Sequence, residues 1–264
     1  MKRALTIGIN DYPKAPLNGC VRDAENWGAF FRDVARFDRV KTLLNREAKL
    51  ANVTREIRSM LEVSGPGDVV RLTYSGHGTR VPDKSNDEAD KYDEAWVLYD
   101  GIWLDDHIAD LLADIPAGVD FGVVSDSCHS GTSSRSLVET ARGTARFLPY
   151  PGAGALNVAA ILHKLFREAF KTKPAAEPSP TGDEAMNHVL LAGASPVESA
   201  WDAQFNGQAW GALSYHALSI LNEKPNLTWD ELHRRIRQRL PSADAPQSPQ
   251  LEGPASARLR RVRG

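Results

Sequence analysis

The sequence predicts an α/β protein built on a mostly parallel central sheet of about six strands sandwiched by helices. Two observations carry this. Strand-like and helix-like stretches alternate along the first half of the chain, the order that places parallel strands side by side with helices on both faces. The composition is that of an ordinary globular protein, with 42% hydrophobic and 25% charged residues in a chain of 264, long enough to bury a sizeable core.

The elements follow in order. "RALTIGIN" (3–10) reads as a buried strand and "VRDAENWGAFFRDV" (21–34) as an amphipathic helix. "RVKTLLN" (39–45) and "ANVTREIRSMLE" (51–62) repeat the pair, and "GPGD" ends that helix before the strand "VVRLTYSGHG" (69–78). An acidic loop (82–94) leads to a hairpin, "AWVLYDGIWL", then a helix, "DDHIADLLADI", and the strand "DFGVVSDS" (120–127). Beyond about 132 the chain turns rich in Ser, Thr, Arg, Gly and Pro. It resumes with the strand "HVLLAGAS" (188–195) and helices near 210–221 and 228–240. This divides the chain into a large-subunit region (1–132), a flexible linker with a short helix (133–186), and a small-subunit region (187–264) that completes the same sheet. The basic end "ARLRRVRG" reads as a solvated tail or a cut site.

Bulk properties narrow the function. A formal net charge of −2 argues against a general nucleic-acid binder. No apolar run is long enough to span a bilayer, and the start lacks the pattern of a secretory signal, so a cytoplasmic protein without membrane partners is expected. Two cysteines far apart make no disulfide framework and fit a reducing setting.

Two strand ends carry reactive side chains: "LTYSGHG" supplies His77 and "VVSDSCHSG" supplies Cys128. In open parallel sheets ligands bind beyond the carboxyl ends of the strands. A thiol is a useful nucleophile once a base stands beside it. His129 competes as that base, but neighbours on an extended chain point to opposite sides, which favours His77. The acids have readings of their own. Asp126, two residues before Cys128, could be a polar turn residue, and Asp23 an acid favoured at a helix N-terminus.

"YSGHG" followed by "DSCHSG" resembles the paired catalytic motifs of metacaspases and their prokaryotic relatives, the orthocaspases. The stretches "LTIGINDY", "LNGCVRDA", "LLAGASPVESAWD", "GALSYHAL" and "QSPQLEG" extend the likeness along most of the chain. The resemblance implies a caspase-like fold and a monomeric cysteine endopeptidase acting on proteins or peptides after Arg or Lys. It assigns His77 and Cys128 as catalytic dyad and the backbone N–H of Gly78 as an oxyanion donor. Asp23 and Asp126 become pocket acids, with Cys20 and Ser75 beside them. Carboxylates suit that specificity because they hold guanidinium bidentately.

Many metacaspases use calcium, and Asp93, Asp105 and Asp106 match positions of its ligands. The loop after Cys128 carries Arg135 and no acid, a departure that weighs against a calcium requirement. Arg135, Arg142, Arg146 and Lys173 lie in the linker and are candidate sites for self-cleavage or for an upstream activating protease in a signalling, cell-death or defence pathway. Two rivals remain: a catalytically silent caspase-like scaffold, and a thiol redox or metal protein built on Cys20 and Cys128, which lacks any Cys-x-x-Cys or zinc spacing.

Overall fold

A computed structural model describes residues 1–82, 92–128, 139–140, 143–148, 183–195 and 198–264. Its first half follows the alternation read above: β1 (Lys2–Gly8), α1 (Cys20–Ala29), β2 (Arg39–Leu44), α2 (Leu50–Glu62) and β3 (Val69–Ser75). A meander of β4 (Gly78–Pro82), β5 (Tyr92–Leu98) and β6 (Gly101–Leu104) leads to α3 (Asp105–Leu112) and β7 (Asp120–Asp126). Then come β8 (Glu139–Thr140), β9 (Gly143–Ala145), β10 (Val189–Ala192), β11 (Trp201–Phe205), β12 (Gln208–Gly211), α4 (Ala212–Glu223), α5 (Trp229–Ile236) and β13 (Gln250–Glu252).

The central sheet has six strands in the order β13-β10-β7-β3-β1-β2, parallel except for β13, which runs antiparallel to β10. From β1 the chain steps outward to β2, then returns past β1 to β3 and continues the other way. The switch in direction opens a crevice at the carboxyl ends of β1 and β3. Alternating residues feed the two faces. Ala4, Val69 and Val124 pack with α1, α4 and α5, while Leu5, Ile7, Val70, Leu72, Phe121 and Val123 pack with α2, α3 and the β5–β6 hairpin.

Two stretches differ from their sequence reading. Residues 143–148 fall within the span read as a flexible linker, yet 143–145 form a strand paired with β11. That pairing belongs to a separate four-stranded sheet, β12-β11-β9-β8. The basic tail is not simply solvated. Val262 is buried, and Arg71, itself buried, donates through Nε to the Val262 carbonyl (2.8 Å) and through Nη2 to Arg261 (3.0 Å). Arg71 also pairs with Asp120 (2.9 Å). Arg71→Ala is therefore expected to cost about 3 kcal/mol or more in urea unfolding, since it strands Asp120 and two carbonyls. A loss below about 0.5 kcal/mol, the size of an ordinary surface change, would contradict this anchoring of the tail.

Candidate active site

β3 and β7 are neighbours, with Ser75 directly opposite Asp126. His77 and Cys128 each lie two residues further on, so the register brings both candidates to the same end of the same strand pair. Both are buried. Two tyrosines fix the His77 backbone: its N–H donates to the Tyr12 hydroxyl (3.1 Å), and its carbonyl accepts from the Tyr74 hydroxyl (2.7 Å).

The imidazole Nε2 lies 2.7 Å from the Ala15 carbonyl. A carbonyl only accepts, so Nε2 carries the proton and Nδ1 is the basic nitrogen. Nδ1 is buried and has no hydrogen-bond partner among the described residues. Burial pulls the His77 pKa down to about 4, against the opposing pull of the Ala15 and Arg146 carbonyls. The ring is a neutral base at pH 7. The Cys128 thiol donates to the Glu198 carbonyl (3.2 Å). His129 lies outside the described residues.

Beside His77 and Cys128 is a pocket of carboxylates. Asp23 comes from the first turn of α1, Asp126 from the end of β7 and Asp202 from β11, and all three are buried. Backbone amides hold each one: Gly211 N–H donates to Asp23 (3.1 Å), Ser214 N–H to Asp126 (2.8 Å), and Asn18 and Gly19 N–H to Asp202 (2.8 and 3.0 Å). Gly211 is obligatory here, because a Cβ would fall on the Asp126 carboxylate and on the group that fills the pocket.

That group is Arg146. Rather than an exposed linker residue, it is 0% exposed. Its Nη2 donates to Asp23 (2.7 Å) and Asp202 (2.9 Å), and its Nη1 to the Ser75 hydroxyl (2.7 Å) and the Asp126 carbonyl (2.9 Å), with the Asp126 carboxylate at 3.4 Å. The Arg146 N–H donates to the Ala200 carbonyl (2.9 Å), and its own carbonyl accepts from Gly78 N–H (2.9 Å). On the far side of the Arg146–Phe147 bond, Leu148 N–H donates to the Gly78 carbonyl (3.0 Å).

Electrostatics follow from the count of charges. Three carboxylates face one guanidinium, and burial with the Asp126 charge pushes Asp23 up to about 6 even with Arg146 lowering it. Cys20 lies against this cluster, and burial raises its thiol well above the ordinary range, so it remains a neutral wall. The sequence-read pocket residues Asp23, Asp126, Cys20 and Ser75 are thus brought together with Gly78 and Arg146. Asp202 was missed, as was Ala15, which acts through its carbonyl and carries no side-chain signal. Arg135, Arg142 and Lys173 lie outside the described residues.

The acids read as calcium ligands sit apart from this pocket. Asp93 is buried on β5, and Asp105 and Asp106 open α3. Burial, with Asp106, Glu94 and Asp93 nearby, pushes Asp105 up to about 7. Among the described residues, no three His, Cys, Asp or Glu side chains group closely enough to hold a metal ion.

Removing the cation from this pocket has a calculable consequence. In a Cys128→Ala background, Arg146→Ala is expected to cost about 3–5 kcal/mol at pH 8, the price of stranding buried charge. Without the guanidinium the Asp23 pKa rises above its value of about 6 in the parent, so the folded variant takes up this proton at a higher pH than the parent does. The loss must therefore shrink as pH falls from 8 towards 6 and level off below it. Urea titrations at pH 8 and 5.5 check this; a small loss independent of pH would contradict the ion cluster.

The chain is similar to known proteins along most of its length. The profile of the caspase domain matches residues 1–260. Metacaspase-1 of Mycosarcoma maydis is 29% identical over 95% of this chain and 69% of its own length. Metacaspase-1B of Aspergillus fumigatus is 30% identical over the same shares. Among solved structures, protein GSU0716 from Geobacter sulfurreducens superposes with a TM-score of 0.76 at 31% identity, covering 98% of this chain and 97% of that one. Caspase-1 from Spodoptera frugiperda, at 11% identity over 96% and 86% and a TM-score of 0.58, shares the fold. With a profile that spans almost the whole chain and metacaspase relatives along 95% of it, this chain belongs to the caspase-domain family, as a cysteine peptidase of the metacaspase kind.

Proposed function

We propose that this peptidase cuts after arginine, and less readily after lysine, using Cys128 as nucleophile and His77 as base, and that its first substrate is its own Arg146–Phe147 bond. The observation that carries this is the seating of Arg146. Its guanidinium contacts Asp23, Asp126 and Asp202 while its carbonyl accepts from Gly78 N–H, an oxyanion donor by position. A planar guanidinium reaches two or more carboxylates at once, whereas an ammonium acts as a point charge. Aspartate in the same pocket would face three like charges.

The chemistry needs only these groups and a water molecule. His77 Nδ1 takes the thiol proton as Cys128 Sγ bonds to the Arg146 carbonyl carbon, and Gly78 N–H stabilises the negative oxygen. The carbon–nitrogen bond breaks as the imidazolium returns the proton to the Phe147 amine. Water, deprotonated by the same nitrogen, then hydrolyses the thioester, leaving a carboxylic acid and the free thiol. The Ala15 carbonyl holds the imidazolium in place throughout.

Fluorogenic peptides ending in Arg, Lys or Asp test the reading, with calcium and chelator as paired arms. Arginyl peptides are expected to turn over fastest and aspartyl peptides not at all, with activity lost in Cys128→Ala and in His77→Ala. Asp202→Asn should lower kcat/KM for arginyl peptides on the order of 100-fold, because it removes one partner of a buried charge pair. Mass spectrometry should find fragments ending at 146 and beginning at 147, absent in Arg146→Glu. No turnover and no self-cleavage under any condition would favour the silent scaffold.

A further inference from the structure

The segment that fills the groove is described beyond its arginine. Counting back from Arg146, Ala145 lies opposite Trp201, Thr144 opposite Asp202 and Gly143 opposite Ala203, all antiparallel to β11. Ala145 is buried, while Thr144 and Gly143 are half-exposed. Gly143 has φ +146°, a backbone conformation closed to L side chains. A Cβ there would collide with the Asp202 carbonyl oxygen and lie 3.1 Å from Ala203 Cα. Both obstacles are backbone of β11, which cannot turn aside as a flexible side chain could.

We propose that the β11 groove selects glycine four residues before the cut, by the handedness of its backbone. This rests on the reading above, in which Arg146 precedes the scissile bond. An L-residue at that position must leave the β11 path and give up pairing with Ala203, or hold a strained φ, a penalty that lowers turnover on the order of tenfold. A D-residue favours positive φ and directs its side chain away from the Asp202 carbonyl, so it fits where its mirror image does not. The third position, half-exposed, tolerates most side chains. The second, enclosed around Ala145, takes small ones.

Gly143 also closes the turn to β8, since Thr140 pairs with it, and its conformation could serve that turn alone. Peptides supplied in trans lack the turn and separate the two roles. Acetyl tetrapeptide fluorogenic amides of sequence Gly-Thr-Ala-Arg, L-Ala-Thr-Ala-Arg and D-Ala-Thr-Ala-Arg are compared on the full chain. Whatever fraction of the groove the chain's own segment occupies reduces every peptide alike, so the ratios of kcat/KM are unaffected.

The expected result is similar kcat/KM for the glycine and D-alanine peptides and a value on the order of tenfold lower for L-alanine. In the chain itself, Gly143→Ala should slow cutting at 146–147 to a comparable degree. Equal rates for the L-alanine and glycine peptides overturn the proposal and leave the turn as the sole role of Gly143. A D-alanine peptide no better than the L-alanine one overturns it as well. If no arginyl peptide turns over and the 146–147 bond stays intact, the peptidase reading itself falls, and this proposal with it.

Discussion

Three buried carboxylates gathered around one cation is the constraint on which the rest of this structure turns. Asp23, Asp126 and Asp202 come from α1, β7 and β11, and each is anchored by amides from a distant part of the chain. The amides of Asn18 and Gly19 point at a residue from the last third of the sequence. Those of Gly211 and Ser214 point back at residues from the first half. The pocket is therefore also the seam that joins the two regions of the fold. A charge cluster of this kind is costly to bury unless it is filled and hydrogen-bonded, and Arg146 fills it.

His77 and the carboxylate pocket sit in opposite electrostatic settings a few residues apart. His77 is kept neutral by burial, with its proton committed to the Ala15 carbonyl, which leaves Nδ1 as the basic nitrogen. The pocket keeps an excess of negative charge, and burial, together with the Asp126 charge, raises Asp23 towards neutrality. The Arg146 guanidinium offsets part of that excess, so its seating and the ionisation of the pocket are linked. Burial sets both, and the sheet register that places Ser75 opposite Asp126 sets their spacing.

Much of this was legible in the sequence. The alternating strands and helices of residues 2–126 have the period-two and helical spacings that periodicity detects, and the strand ends marked His77 and Cys128. Asp23 and Asp126 stood beside motifs that could be matched. Asp202 closes the matched stretch "LLAGASPVESAWD", but nothing in the sequence tied that acid to the pocket: it is distant along the chain from Asp23, Asp126 and Arg146 and meets them through β11. A signal for the β11–β12 hairpin exists in Asn206-Gly207, whose positive φ values of 53° and 73° suit a tight turn between alternating residues. Residues 143–148 carried no such signal. Their composition is that of a linker, and what orders them is tertiary: a strand partner in β11 and a buried ion cluster for one side chain.

Arg146 lies in the carboxylate pocket with its carbonyl on Gly78. Amide hydrogen exchange on the full-length Cys128→Ala protein tests this most directly, because the bonds at issue involve the N–H groups of Gly78, Arg146 and Leu148. These three amides are expected to exchange far more slowly than a free peptide, and Arg146→Ala to release the protection of all three together. Exchange at the rate of an unstructured chain in the unaltered Arg146 protein would contradict it.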